Sequence, residues 1–160
     1  VKVHAQKSSE DQLEEIYAIE CACFSPPWSK AALGGLIDSA DGGILTAVDD
    51  SGAVIGFLCY LDMYDALHIA NIAVLEPCRN FGVADALMQA FLQISAARTF
   101  PDVTLEVRTG NKAAIQLYEK YGFKVEGVRK KYYDDKEDAY IMWRRTERAS
   151  CTNETTKQIK

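Results

Sequence analysis

No stretch of this 160-residue sequence is apolar for anywhere near the roughly 18 residues a membrane-spanning helix requires, and Val1 to Glu10 lacks the apolar core of a signal peptide. Both absences predict a protein with no membrane partner that stays in the cytoplasm where it is made. Paired cysteines are also missing. The five cysteines, Cys21, Cys23, Cys59, Cys78 and Cys151, show no C-x-x-C spacing, which argues against a structural zinc site and fits reduced thiols. His4 and His68 have no partners at metal-ligand spacing, so both are read as structural residues and no metal is implied. Positive charge is in deficit: 18 Lys and Arg against 23 Asp and Glu give a net charge of -5, the wrong sign for a nucleic-acid or anionic-membrane partner. A basic substrate would be weakly attracted. The length excludes two full domains, but 48% hydrophobic content is ample for the core of one, and a monomer is the expectation. No internal repeat or low-complexity linker divides the chain.

What is present reads as alternating helices and strands. Ser9 with Gln12 forms a capping-box pattern ahead of Leu13, Ile16, Tyr17, Glu20 and Phe24, a mostly apolar stripe that predicts a helix over Glu10 to Cys23. Pro26 and Pro27 end it, and Ser29 caps a short second helix weakened by Gly34 and Gly35. A hairpin is predicted from Ile44 to Val48 and Ala53 to Leu61 around Asp49-Asp50-Ser51-Gly52, with a third strand at Leu67 to Leu75. Val83, Ala86, Leu87, Ala90, Phe91 and Ile94 recur at helical steps. Val103 to Arg108 is strand-like, Asn111 caps a helix that Gly122 ends, and Phe123 to Tyr133 pairs with Ala139 to Arg145. The order predicts a single α+β domain over residues 1–145 with one mixed sheet flanked by helices. Residues 146–160 are polar and aperiodic, the composition of a disordered tail.

The most informative segment runs from Asn71 to Asp85, where a strand passes through a tight loop into the long helix. Free backbone N–H groups at such a helix start, with the positive end of the helix dipole behind them, suit phosphate oxygens. Gly82 and Ala84 permit close approach, and Arg79 adds a cation. Two commoner phosphate motifs fail. A P-loop needs Gly-Lys-Ser/Thr where this chain has Gly82-Val83-Ala84, and a dinucleotide fingerprint needs three glycines and an acid that ends the next strand, whereas Asp102 precedes it. A single glycine after a strand is equally compatible with a plain turn.

Arg79-x-x-Gly82-x-Ala84 between this strand and this helix resembles the Q/R-x-x-G-x-G/A pyrophosphate loop of the GNAT acetyltransferases. Further matches are Pro27-Trp28-Ser29, Asn71-Ile72-Ala73-Val74, Leu105-Glu106-Val107-Arg108, Asn111-x-Ala113-Ala114-Ile115-x-Leu117-Tyr118-Glu119-x-x-Gly122-Phe123, and Tyr132-Tyr133 with Glu137-Asp138-Ala139. They follow the order and spacing of the RimI branch and cover Leu13 to Trp143. The resemblance implies a mostly antiparallel sheet and acetyl-CoA as cosubstrate. The backbone of Ile72, Ala73 and Val74 would lie beside the acetyl-pantetheine arm, Arg79, Asn80, Phe81, Gly82, Val83, Ala84 and Asp85 around the diphosphate, and Asn111 against the cofactor. The loop departs from many of that branch at Asn80, where a second basic residue is usual, and at Ala84, where glycine is. The acceptor implied is a protein N-terminus, that of a ribosomal protein beginning with alanine.

Acetyl transfer to an amine needs the amine neutral, a proton for the departing thiolate and donors for a tetrahedral oxyanion. An α-amine with a pKa near 8 is neutralised at pH 7 for about 1.4 kcal/mol, and lysine for roughly three times that. Glu106 alternates away from Val103, Leu105 and Val107, a pattern equally suited to a solvated or arginine-paired carboxylate. Tyr118, three residues after Ile115, reads equally well as a core aromatic. The resemblance assigns them the roles of general base and general acid, with backbone N–H near Ala73 or Val74 as oxyanion donors. Trp28, Tyr132, Tyr133 and Asp138 either pack the core or border a slot for an extended peptide. Cys78 lies next to the loop without a paired base, which favours direct transfer over a thiol nucleophile. Two rivals stay open: acetylation of a small amine or lysine side chain, and a CoA-binding regulator without turnover.

Overall fold

In the computed structural model, which describes residues 3–146, entry into the first helix follows the capping chemistry. The Ser9 N–H donates to Gln12 Oε1 at 3.0 Å, a 3-10 turn spans Glu10–Gln12, and helix α1 runs over Leu13–Cys23. Its inward face carries Ile16, Ile19 and the fully buried Glu20. Ser29 Oγ accepts the Ala32 N–H at 3.0 Å and starts helix α2, Lys30–Leu36. Gly34 has a packing reason: a Cβ there would sit 3.1 Å from Leu13 Cδ2, so glycine lets α2 lie close on α1.

The strands are β1 (His4–Lys7), β2 (Gly42–Val48), β3 (Val54–Asp62), β4 (Leu67–Val74), β5 (Val103–Arg108), β6 (Lys124–Arg129) and β7 (Ala139–Arg144). They form one sheet in the order β1-β2-β3-β4-β5-β7-β6, antiparallel throughout except for the β4–β5 pair. This is the expected mixed, mostly antiparallel α+β sheet. The edge strand β1 was not foreseen: its four residues are largely exposed and carry no apolar alternation. At the other edge β6 ends at Arg129 rather than continuing to Tyr133, because Lys131 takes a φ of 51° and its N–H turns to Asp138 Oδ1 at 2.9 Å. The expected disordered tail lies, apart from Thr146, outside the described residues.

Helices α3 (Val83–Ala96) and α4 (Lys112–Lys120) cover the face opposite α1 and α2. The strands alternate between the two cores, with Leu45 and Ala47 on the α3 side and Ile44 on the α1 side. Phe91 on α3 is fully buried, an apolar transfer that contributes about 1.5–3 kcal/mol.

The feature that makes a site is a gap in this sheet. Strands β4 and β5 pair only at Leu67↔Val103, His68↔Thr104 and Ile69↔Leu105. At that point the β3–β4 register slips from Tyr60↔Ile69 to Cys59↔Asn71, leaving Ala70 as the extra residue of a bulge. A bulge bends its strand, so beyond Ile69 β4 parts from β5 and opens a wedge between them.

Candidate active site

The wedge holds a cavity of about 580 Å³, a size typical of small-molecule and cofactor sites. Its walls come from α1 with Glu20 and Cys23, the α1–α2 loop with Phe24, Pro26 and Trp28, Leu61 of β3, β4 with His68 and Asn71, β5 with Glu106, α4 with its cap Asn111 and, near its other end, Tyr118, and the β6–β7 loop with Tyr132 to Asp134.

On β5, Val103, Leu105 and Val107 are buried while Glu106, on the opposite face, enters the cavity. Glu106 Oε2 lies 2.5 Å from His68 Nε2, and the Arg129 Nε–H donates to Oε1 at 3.2 Å from two strands away. His68 beside it holds the carboxyl below its ordinary value; burial opposes this and Arg129 adds to it. His68 therefore belongs to the site, which corrects its reading as a structural residue. Its partner is 38 residues away on the neighbouring strand, and no local spacing connects the two. Among the described residues no group of His, Cys, Asp or Glu is arranged to hold a metal.

Tyr118 is buried on α4 with its ring 5.7 Å from that of Phe123, yet it lines the cavity. No protein group among the described residues takes its hydroxyl. Burial, then the neighbouring Tyr133, pushes its pKa upward, so it remains a proton-bearing phenol.

The α1 stripe of the sequence includes Glu20 with no role assigned to it, and the structure makes it a central residue. Its buried carboxylate accepts the Trp28 N–H at 2.9 Å and the Asn71 side-chain amide at 3.0 and 3.1 Å, tying the α1–α2 loop to β4. Burial raises its pKa and these hydrogen bonds partly offset the rise. A lone acid inside an apolar helical stripe was the signal for it.

Across the cavity, Tyr132 and Tyr133 meet edge to face at 5.1 Å, and the Arg108 guanidinium sits 4.0 Å over the Tyr133 ring. Burial pushes Tyr133 up to about 12 against the pull of Arg108. Trp28, Tyr132 and Tyr133 thus line the cavity, but Asp138 does not. Its carboxylate is taken by the Lys131 N–H and by Lys130 Nζ at 3.4 Å, outside the cavity, and Asp134 is the acid that the loop presents there.

The strand-to-helix junction fits a diphosphate. Gly82 caps α3 at φ 81°, where an added Cβ would meet nothing within 4 Å, so there is open space in front of it. The N–H groups of Val83, Ala84 and Asp85 precede the first helical hydrogen bond, Ala86 N–H to Gly82 O at 3.0 Å. Asn80 adopts a φ of 67°, which asparagine tolerates, and Phe81 is exposed. Arg79 faces elsewhere: its Nε–H donates to Val74 O at 3.0 Å and a terminal nitrogen lies 3.7 Å from Cys23 Sγ. It braces the loop against β4. Ile72, Ala73 and Val74 pair with β3 on one side and have no strand on the other. Asn111 caps α4 by accepting the Ala114 N–H at 3.2 Å and lines the cavity.

Residues 13–123 match the acetyltransferase (GNAT) family model. The chain is 30% identical over 133 residues to the Escherichia coli [ribosomal protein bS18]-alanine N-acetyltransferase, covering 81% of this chain and 88% of that one. It is 46% identical over 76 residues to an N-alpha-acetyltransferase of Sulfurisphaera tokodaii, covering 47% and 46% of the two chains. Among solved structures, Ard1 from Thermoplasma volcanium superposes with a TM-score of 0.83 at 32% identity, over 90% of this chain and 97% of that chain. The chain belongs to the GNAT acetyltransferase family and is an N-acetyltransferase.

Proposed function

We propose that this protein transfers the acetyl group of acetyl-CoA to the α-amine of a protein N-terminus, that of a ribosomal protein beginning with alanine, acting as a monomer in the cytoplasm. The observation that carries the reading is the cavity between β4 and β5: an acid–histidine pair, a buried phenol without a protein partner and an aromatic slot converge there, next to a loop with room for a diphosphate. The relatives named for α-amine acetylation support the choice of acceptor. No helix among the described residues is long and apolar enough to cross a membrane.

Bound acetyl-CoA would supply the acetyl group as a thioester, its diphosphate on the N–H groups of Gly82 to Asp85 and its arm along Ile72, Ala73 and Val74, with Asn111 beside it. The chain's own residues supply the rest. Glu106, hydrogen-bonded to His68, takes the proton from the incoming ammonium and passes it on to solvent; the net cost of neutralising an α-amine at pH 7 is about 1.4 kcal/mol. Backbone N–H near Ala73 or Val74 steadies the developing oxyanion; as the C–S bond breaks Tyr118 gives its hydroxyl proton to the departing thiolate and regains one from the nitrogen, which becomes a neutral amide. Trp28, Tyr132 and Tyr133 hold the first residues of the peptide, with Asp134 in the part first given to Asp138.

The test is kcat/KM for a peptide beginning Ala-Arg, the same peptide blocked at its N-terminus but containing lysine, and spermidine. The free N-terminus should be preferred. Faster acetylation of the blocked peptide or of spermidine would replace the α-amine reading by its rival.

A further inference from the structure

The junction that suits a diphosphate also carries an acid. Asp85 stands in the first turn of α3, where a carboxylate stabilises a bare helix N-terminus but opposes an arriving anion. The loop has little to counter it, since Arg79 is turned to Val74 and Cys23 and position 80 is the neutral Asn80. Compensation comes from the other end of the cofactor-side layer. The C-terminal end of α4 meets the first turn of α3, and Lys120 Nζ lies 2.7 Å from Asp85 Oδ1 while the Tyr121 hydroxyl donates to the same oxygen at 2.6 Å. Gln89, one turn along α3, donates to the Tyr121 oxygen at 3.5 Å and fixes the ring from the far side.

We propose that Lys120, supported by Tyr121, is the counter-charge for Asp85 and thereby allows the α3 loop to accept the diphosphate of coenzyme A. The inference rests on the acetyl-CoA reading above. Lys120 is most of the way into solvent, so its role is electrostatic and not one of packing. With Lys120 in place the first turn is close to neutral, and the loop N–H groups and helix dipole act on the phosphates without opposition. Without it, two like charges face each other across the junction. The carboxylate is what makes the lysine necessary, so removing both should restore what removing the lysine loses.

The experiment is calorimetric titration of coenzyme A into the parent protein, K120M, D85N and the D85N/K120M double variant, at low and at high salt. K120M should bind about tenfold more weakly at low salt, the scale of one charge-assisted contact, with the difference shrinking as salt screens it. D85N alone should bind no more weakly than the parent, and D85N/K120M should return to the parent's affinity. Parent-like binding by K120M, or a double variant as weak as K120M, overturns the counter-charge role while leaving the cofactor assignment intact. A parent that does not bind coenzyme A at all overturns both.

Discussion

His68 Nε2 and Glu106 Oε2 stand 2.5 Å apart across the last paired rungs of β4 and β5, at the point where the two strands separate. The register that ends at Ile69↔Leu105 puts the histidine of one strand beside the acid of the other, and the bulge at Ala70 opens the space in front of them. If this pair receives the amine proton, Glu106→Gln should lower turnover at neutral pH by roughly 10²- to 10⁴-fold, the usual scale of general base catalysis. Partial recovery is expected at high pH, where the acceptor amine is already neutral. His68→Asn should shift the same pH profile in the same direction. Steady-state rates from pH 6 to pH 10 check this, and a Glu106→Gln enzyme with an unchanged rate would remove the pair from the chemistry.

The two acids of the site, the buried Glu20 and the partly buried Glu106, should give opposite pH signatures in stability. Glu106 titrates below its ordinary value of 4.5 in the folded state, so its partners' stabilisation is complete above that value and is lost as pH falls through the lower, folded one. Glu20 is raised, so the folded state binds its proton more readily and Glu20 favours folding less as pH climbs from 4.5. Thermal melts between pH 3 and pH 8 should therefore show Glu106→Gln losing part of the acid-side fall, whereas Glu20→Gln should be at least as stable as the parent at pH 7. Glu20→Ala leaves the Trp28 N–H and the Asn71 amide without their acceptor and should cost about 1–3 kcal/mol.

Tyr118→Phe keeps the ring against Phe123 and removes only a hydroxyl that no protein group among the described residues holds. The variant should fold as the parent does and lose turnover without recovery at high pH, because the missing proton is owed to the thiolate and not to the amine. Measured side by side with Glu106→Gln, the two profiles should diverge above pH 9. Parallel profiles would mean that the two residues do not act on different protons.

Much of this arrangement is legible in the sequence because it is local. Alternation along Val103 to Arg108 puts Glu106 opposite the core, Ser29 and Asn111 announce their helices by capping chemistry, and Gly82 marks a junction that needs a positive φ. What escaped was set by register and loop shape. His68 acquires its partner only once β4 and β5 are aligned. Asp134 and Asp138 lie four residues apart on one loop, and the positive φ of Lys131 and Lys136 decides which of them meets the cavity. The strand β1 has no apolar alternation to announce it, because an edge strand that is largely exposed needs none.

Arg108 provides the last prediction, which separates acceptor binding from cofactor binding. It lies two residues beyond Glu106 on β5, donates to both oxygens of Asp135 at 2.9 Å and to Glu137 Oε1 at 3.1 Å, and covers the Tyr133 ring at 4.0 Å. Glu137 in turn accepts the Gly110 N–H at 2.9 Å, so the whole β6–β7 loop is pinned to the end of β5 by one guanidinium and its partners. All three hydrogen bonds leave one terminal nitrogen while the guanidinium plane covers the Tyr133 ring, and lysine cannot supply that plane. Arg108→Lys should accordingly release the loop, raise KM for a peptide acceptor severalfold to about tenfold, and leave the affinity for coenzyme A near the parent's, since the contacts Arg108 makes go to the β6–β7 loop and not to the β4–α3 junction. Peptide kinetics paired with coenzyme A titration read the two separately. Equal losses in both would mean that Arg108 supports the fold at large; a loss confined to the peptide makes it the residue that positions Tyr132 and Tyr133 for the acceptor.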